Sequence, residues 1–347
     1  MTPFVSGFTN QCIMSIVRNA KIINHDFLQH CLTLFPGSMS LAFAYGSGVF
    51  SQKNNAKSGQ MVDFIFAVDD PQGWHEANIA KNPRHYSFLK YLGSGTVSSW
   101  QKDYGAKVYF NTLVPVENGT IKYGVISTAA LLSDLLDWDT LYVAGRLHKP
   151  CRILRPPASD DLSTALRLNL QSALHTALLL LPSHFSEREL YTKIASLSYI
   201  GDFRMWVGED KNKVSNIVDG QLQEFSELYA PARESLSEFM EVTNGSGRQD
   251  VSPAARFYHL SMLPRELQQT CVTRRWNRDG RHRDVEDVLR AAACDIYSNG
   301  VIVGGLGDIT RMRNISQSIK GIFTAGLIKS VRYSARKLTK MFRSMRR

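Results

Sequence analysis

Between residues 38 and 155, short apolar runs alternate with glycine- and proline-marked turns, and this alternation limits the fold more than any other feature of the chain. Leu41 to Tyr45, Met61 to Val68, Lys107 to Leu113 and Lys122 to Ser127 each predict a short buried strand, whereas Thr128 to Leu136 has helical spacing. Strands and helices mixed in this way predict an α/β domain, placed at residues 1–155. Pro156-Pro157 then breaks the pattern, and from Asp160 to about Tyr297 the chain reads as mostly helical. Within that stretch Ser186 and Glu189 form an S-x-x-E capping box, which predicts a helix running through Ser196. The helical domain is placed at residues 156–305, and the glycine-rich stretch Gly300 to Gly307 predicts a hinge before a tail at 306–347.

Charge separates the tail from the rest. The chain has 41 Lys and Arg against 31 Asp and Glu, but eleven of the bases fall in residues 311–347, which contain no acid. Residues 1–310 therefore carry 30 bases and 31 acids, a net charge of −1, which argues against a generally basic nucleic-acid-binding coat. In the tail Leu327, Val331, Ala335, Leu338, Phe342 and Met345 recur at steps of three and four, one face of a helix. Lys329, Arg332, Arg336, Lys337 and Lys340 fall largely on the remainder, the pattern of a helix lying in an anionic membrane interface. A calmodulin-type target helix or a nucleic-acid arm has the same outline. No apolar run approaches the roughly 18 residues needed to cross a bilayer. The five cysteines, without a CxxC pair, suggest neither a zinc site nor a disulfide framework. The first 24 residues, with two bases and no acid, are compatible with a transit peptide or with a first helix.

Four clusters could carry chemistry. Tyr45-Gly46-Ser47-Gly48 follows directly on a strand, where a Gly-Ser turn lets backbone N–H groups and a hydroxyl approach phosphate oxygens; a plain tight turn reads the same way. The turn lacks the third glycine of a dinucleotide fingerprint and the Gly-Lys-Ser/Thr of a P-loop. Asp63 stands alone in the apolar run Met61 to Phe66, where an ionised carboxylate is costly unless it faces a cation. Gly-Ser on one strand and Asp on the next outlines a polymerase β-like nucleotidyltransferase site, in which Mg2+ bridges carboxylate and triphosphate. Such sites usually carry a second acid two residues on, where this chain has Ile65; Asp69 and Asp70 could supply it, or could simply mark the turn before Pro71. The third cluster runs from Trp74-His75-Glu76 through Asn82, His85 and Tyr86, donors suited to a phosphate or base edge, or to a solvated loop. The fourth, Asp202 and Arg204 with Lys213 beyond, could clamp a triphosphate or be paired surface charge.

The blocks LAFAYGSGVFSQ, MVDFIFAVDDPQGWHEANIAKNPRHYS, KVYFNTLV, LYVAGRLHKPCRIL, SYIGDFRMWVGEDKNKVSNIV and GIFTAGLIKSVRYSARKLTKM resemble, in order, those of the mitochondrial phosphatidate cytidylyltransferase family. The resemblance runs from about residue 27 to about 341. It implies a nucleotidyltransferase domain followed by a winged-helix-like domain with CTP between them. It further implies Mg2+-dependent transfer of CMP from CTP to phosphatidic acid, Mn2+ or Co2+ substituting. The family acts on the matrix face of the mitochondrial inner membrane and feeds cardiolipin synthesis, so a peripheral protein is expected, with no nucleic-acid partner. Carried over by position, Gly46 and Ser47 hold the triphosphate, with Tyr45 and Gly48 beside them, and Asp63 is the principal metal ligand. Asp69 is a second ligand; Lys107 and Arg204 act with Asp63 in catalysis; Asn82, His85, Tyr86, Asp202 and Lys213 line the nucleotide cleft. The absence of an acid at Ile65 looks like the family's own pattern. Two rival readings are a nucleotidyltransferase acting on RNA and a non-catalytic assembly factor for inner-membrane import.

Overall fold

The structure is a computed structural model that describes residues 25–50, 61–117, 119–205, 212–276, 281, 283–295 and 297–326. The predicted membrane-binding residues, from Leu327 to Phe342, lie outside the described residues.

The first region contains α1 (His25–Thr33), β1 (Leu41–Tyr45), β2 (Val62–Val68), α2 (Pro71–Lys81), α3 (Ser94–Asp103), β3 (Val108–Val116), β4 (Gly119–Ser127), α4 (Thr128–Asp137), the short α5 (Ala144–Leu147) and β5 (Arg152–Arg155). The five strands form one sheet in the order β3-β4-β2-β1-β5, in which only β2 and β4 run parallel. All four predicted strands are present, and β5 joins them as an edge.

Because strand side chains alternate, the sheet has two distinct faces. Phe64 and Phe66 point with Tyr123 and Val125 into a core under α1 and α2 that includes Phe35 and Trp74. Ile65 points the other way with Phe43, Val108, Phe110 and Ile126, into the core shared with the helices that follow. Each of these large side chains contributes roughly 1.5–3 kcal/mol by leaving water. Asp63 has the parity of Ile65, so it belongs to the second face, at the end of the sheet where β1 finishes; Tyr45 is its partner across the β1–β2 ladder.

The second region is helical around a small antiparallel sheet. It comprises α6 (Asp160–Leu180), β6 (His184–Ser186), α7 (Glu187–Ser196), α8 (Lys213–Gly220), α9 (Leu222–Glu234), β7 (Met240–Thr243), β8 (Ser246–Gln249), α10 (Pro253–Ser261), a π-helical turn Glu266–Thr273 continuing as Arg274–Trp276, α11 (Val285–Cys294) and α12 (Ser298–Ala325). The capping box forms as predicted, with Ser186 accepting from the Glu189 N–H and the Glu189 carboxylate from the Ser186 N–H.

Gly300 to Gly307 is not a hinge. It lies inside the 28-residue helix α12, which crosses residues 305 and 306 without a break. A Cβ on Gly201, whose φ is +78°, would stand 2.8 Å from the Gly307 Cα, so the 201–205 loop and α12 meet backbone to backbone. Thr310 ties the same junction by donating to the Ile200 carbonyl. Further along, Gln317 accepts from the Ala106 N–H (2.9 Å) and donates to the Val108 carbonyl (3.2 Å), covering the edge strand β3. Lys320 donates to the carbonyls of Gln101 (3.0 Å) and Tyr104 (2.9 Å). The helix thus fastens the helical region to the strand domain.

Candidate active site

The turn after β1 is built for close approach. Gly46 sits at φ +82°, where a side chain would be strained and its Cβ would lie 3.7 Å from Asp63 Oδ2. A Cβ on Gly48 would come within 2.4 Å of the Met61 carbonyl, so only glycine lets the turn carrying Ser47 fold back over the start of β2.

Asp63 has a cationic neighbour from the protein itself. Lys122, its register partner on β4, brings Nζ to 3.4 Å of Oδ1 and lies over the Phe110 ring at 4.3 Å. Yet among the described residues no hydrogen bond reaches the buried Oδ1. The counter-charge that the apolar strand demands is therefore met in part by Lys122, with one carboxylate oxygen still unpartnered by a donor.

Further cations crowd in from α5 and the segments after it. The Arg146 guanidinium stacks on Tyr142 at 3.8 Å, faces Tyr45 at 5.5 Å, and donates to the Tyr142 carbonyl. Lys149 donates to the Gly145 carbonyl and to Ser198 Oγ (3.1 Å), and lies 5.0 Å over the Tyr199 ring, with Lys213 at 5.1 Å from the same ring. Burial first, then repulsion from Arg146 and Lys213, brings the Lys149 ammonium down to about 7. Burial raises the Tyr142 phenol, but Arg146, Arg204 and Lys122 outweigh it and leave the group at about 8. Burial likewise pushes the Tyr45 phenol up, opposed by Lys122 and Arg146. Asp202 is buried and accepts from the Arg204 N–H (3.0 Å) and from its guanidinium Nε and Nη2, and the same Nη2 also donates to Asn314 Oδ1 of α12 at 3.3 Å. Asp202 is thus taken up by Arg204, while Lys122, Arg146, Lys149 and Lys213 follow one another from Asp63 to the Tyr199 ring.

The structure brings together Tyr45, Gly46, Ser47, Gly48, Asp63, Asp202, Arg204 and Lys213. It does not bring the others. Asp69 ends β2 six residues, about 20 Å, from Asp63, where it accepts from Ser40 (2.7 Å) and Thr128 (2.6 Å); those hydrogen bonds hold its carboxyl below the usual range. Lys107 lies at that same far end, paired with Asp139. Asn82, His85 and Tyr86 belong to the opposite face: Asn82 donates to the Leu34 carbonyl (2.8 Å), His85 Nδ1 lies 3.1 Å from the Tyr123 hydroxyl, and buried Tyr86 meets His75 Nδ1 at 2.8 Å. With Asn78 donating to both tyrosine hydroxyls at 2.9 Å, and His75 held neutral by burial at about 4, this is a buried polar network under α2. Lys122, Arg146 and Lys149 were not singled out from sequence; Arg146 and Lys149, three apart after an apolar run, were the available signal. Among the described residues no group of three His, Cys, Asp or Glu could hold a metal by itself.

Fold and site together define an α/β protein in which a glycine turn, a strand carboxylate and several cations come together, an arrangement suited to a polyanion. The sequence matches the family described as phosphatidate cytidylyltransferase, mitochondrial, over residues 28–340, and the chain belongs to that family. It is 51% identical over 325 residues to the protein of that name from Danio rerio, covering 92% of this chain and 96% of the relative. The Xenopus laevis protein is 50% identical over 320 residues (91% and 94% covered), and the Drosophila melanogaster protein 42% over 343 residues (91% and 99% covered); both carry the same name.

Proposed function

We propose that the chain transfers CMP from CTP to phosphatidic acid, giving CDP-diacylglycerol and pyrophosphate. The observation that carries this reading is the gathering of Lys122, Arg146, Lys149 and Lys213 near the Gly46-Ser47 turn and the Asp63 carboxylate. Cations gathered in this way suit a polyanion, and a triphosphate supplies three to four negative charges and many acceptor oxygens.

The anionic phosphate oxygen of phosphatidic acid attacks the α-phosphorus of CTP, and the bond from that phosphorus to the bridging oxygen breaks, releasing pyrophosphate. The nucleophile is already ionised, so no general base is required; positioning and charge neutralisation supply the rate. Arg146, Lys149 and Lys213 hold the phosphates, and Lys122 sits where charge develops nearest Asp63. The residues fit a Mg2+ ion: Asp63 Oδ1 is buried without a donor, and Mg2+ commonly binds one or two protein carboxylates together with substrate phosphates. Asp63 would hold it, with Mn2+ or Co2+ as substitutes, and the ion would offset charge on the leaving pyrophosphate. The mixed sheet with Asp63 beside a Gly-Ser turn supports a polymerase β-like nucleotidyltransferase assignment, and the β7–β8 hairpin, whose Gly245 carbonyl accepts from the Glu187 N–H at the start of α7, supports a winged-helix-like second region.

The family's name supports a mitochondrial site of action, and we place the protein peripherally on the matrix face of the inner membrane, feeding cardiolipin synthesis. No helix among the described residues is long and apolar enough to cross a membrane. The test is transfer of label from α-phosphate-labelled CTP into chloroform-soluble product on phosphatidic-acid vesicles with Mg2+. Labelled lipid from the intact chain, lost in Asp63→Ala, is expected; label entering RNA, or no label in lipid from vesicle-bound protein, contradicts the reading.

A further inference from the structure

Away from the cleft, several large apolar side chains point into water close together. The 3₁₀ turn Phe88–Leu92 exposes Phe88 (55%), Tyr91 (81%) and Leu92 (59%), and Tyr104 is 56% exposed at the end of α3. The last two turns of α12 add Ile319 (54%) and Phe323 (42%). The pieces are contiguous. Phe323 lies 5.5 Å from the Trp100 ring, which lies 5.3 Å from Tyr104, and a Cβ on Gly326 would stand 3.8 Å from Ser87 beside the turn. The end of α12 is also locked in place, by Lys320 donating to Gln101 and Tyr104. Six exposed large apolar side chains gathered on one fixed surface mark a partner.

We propose that this surface docks the folded body of the protein onto an anionic lipid bilayer, separately from the basic tail. Three observations select lipid. The surface mixes aliphatic side chains with tyrosine and tryptophan, whose apolar bodies and polar tips suit a headgroup boundary. Residues 84–104 carry Arg84, Lys90 and Lys102 against the single acid Asp103, and Lys90 lies over the Tyr91 ring at 5.0 Å. The chain continues from Gly326 at this surface into 21 residues with eight bases and no acid, so the strongest positive charge of the sequence starts where the apolar surface ends. The position serves the substrate too. Asn314, which holds Arg204 at the cleft, precedes Phe323 by nine residues, about 14 Å along a straight helix. A bilayer held at Phe323 keeps the lipid's headgroup within a short reach of the transferring nucleotide. The benefit to catalysis rests on the cytidylyltransferase reading; the docking itself does not.

The experiment uses the full chain and its Phe88→Ser, Tyr91→Ser, Leu92→Ser triple variant, floated with phosphatidylcholine vesicles containing phosphatidic acid. Flotation is run at low salt and at about 1 M NaCl, where charge is screened within ~3 Å. At high salt the unmodified chain is expected to stay vesicle-bound, and the triple variant to partition about 10-fold more weakly. Both are expected to turn over a short-chain, water-soluble phosphatidic acid equally, which shows that the variant is folded. The proposal is overturned if the two proteins float alike at both salts, if high salt releases the unmodified chain completely, or if the substitutions change only self-association, which assigns the surface to a second copy. If neither protein uses the soluble substrate, the proposed reaction fails, while flotation still decides the docking surface.

Discussion

Lys149 is the residue whose behaviour should report most sensitively on the nucleotide. Without ligand its ammonium is held near 7 by burial and by Arg146 and Lys213. A bound triphosphate stabilises the charged form, so the complex holds more protons than the free protein, and affinity must fall as pH rises through about 7. Calorimetric titration with CTP at pH 8 should show proton uptake, absent in Lys149→Met. That variant should bind CTP about 10- to 100-fold more weakly, the loss of one buried charge-assisted contact of roughly 1.5–3 kcal/mol. Asp63→Asn keeps the shape and removes the charge, and should lower lipid labelling by about 10³-fold or more with little change in melting temperature. Asp63 was legible because a lone carboxylate in an apolar strand needs a cation. That Asp69, Lys107 and His85 lie apart from Asp63 was not legible, because a list of polar residues carries neither the direction along a strand nor the face of the sheet. Both became visible only once register put Tyr45 beside Asp63 and Tyr123 beside Phe64.

At the scale of elements, helix α12 is the part of the fold that sequence pattern missed. Four glycines within eight residues look like a hinge, whereas the helix runs through them and Gly304 leaves room for the Arg275 guanidinium, a partner distant in sequence. The short strands β6, β7 and β8 were hidden for a related reason, since three or four residues carry too little periodicity to stand out from helices. The capping box and the strands β1 to β4 were legible because their signals are local. Gly201→Ala is expected to cost about 2–4 kcal/mol, from the positive φ and the overlap with Gly307. Melting should fall by about 3–6 °C, and kcat should fall with it, because the displaced loop carries Asp202 and Arg204. Lys320→Ala leaves the carbonyls of Gln101 and Tyr104 without their donor and should cost about 1–3 kcal/mol. Limited proteolysis near residue 326 should accelerate in that variant and not in the unmodified chain.

Across the whole molecule, two layers with different purposes share one sheet. The Phe64 face is closed by α1, α2 and a buried histidine–tyrosine network, and the Asp63 face opens toward the helical region with its arginines and lysines. The central claim is that the nucleotide binds on the second of these faces. The direct test compares the CTP dissociation constants of the unmodified chain, Lys149→Met, Lys122→Met and His85→Ala, each confirmed folded by its melting curve. Binding weakened about 10-fold or more by each lysine substitution and unchanged in His85→Ala is the predicted result; full affinity in both lysine variants with loss in His85→Ala would place the nucleotide on the other face and contradict the account.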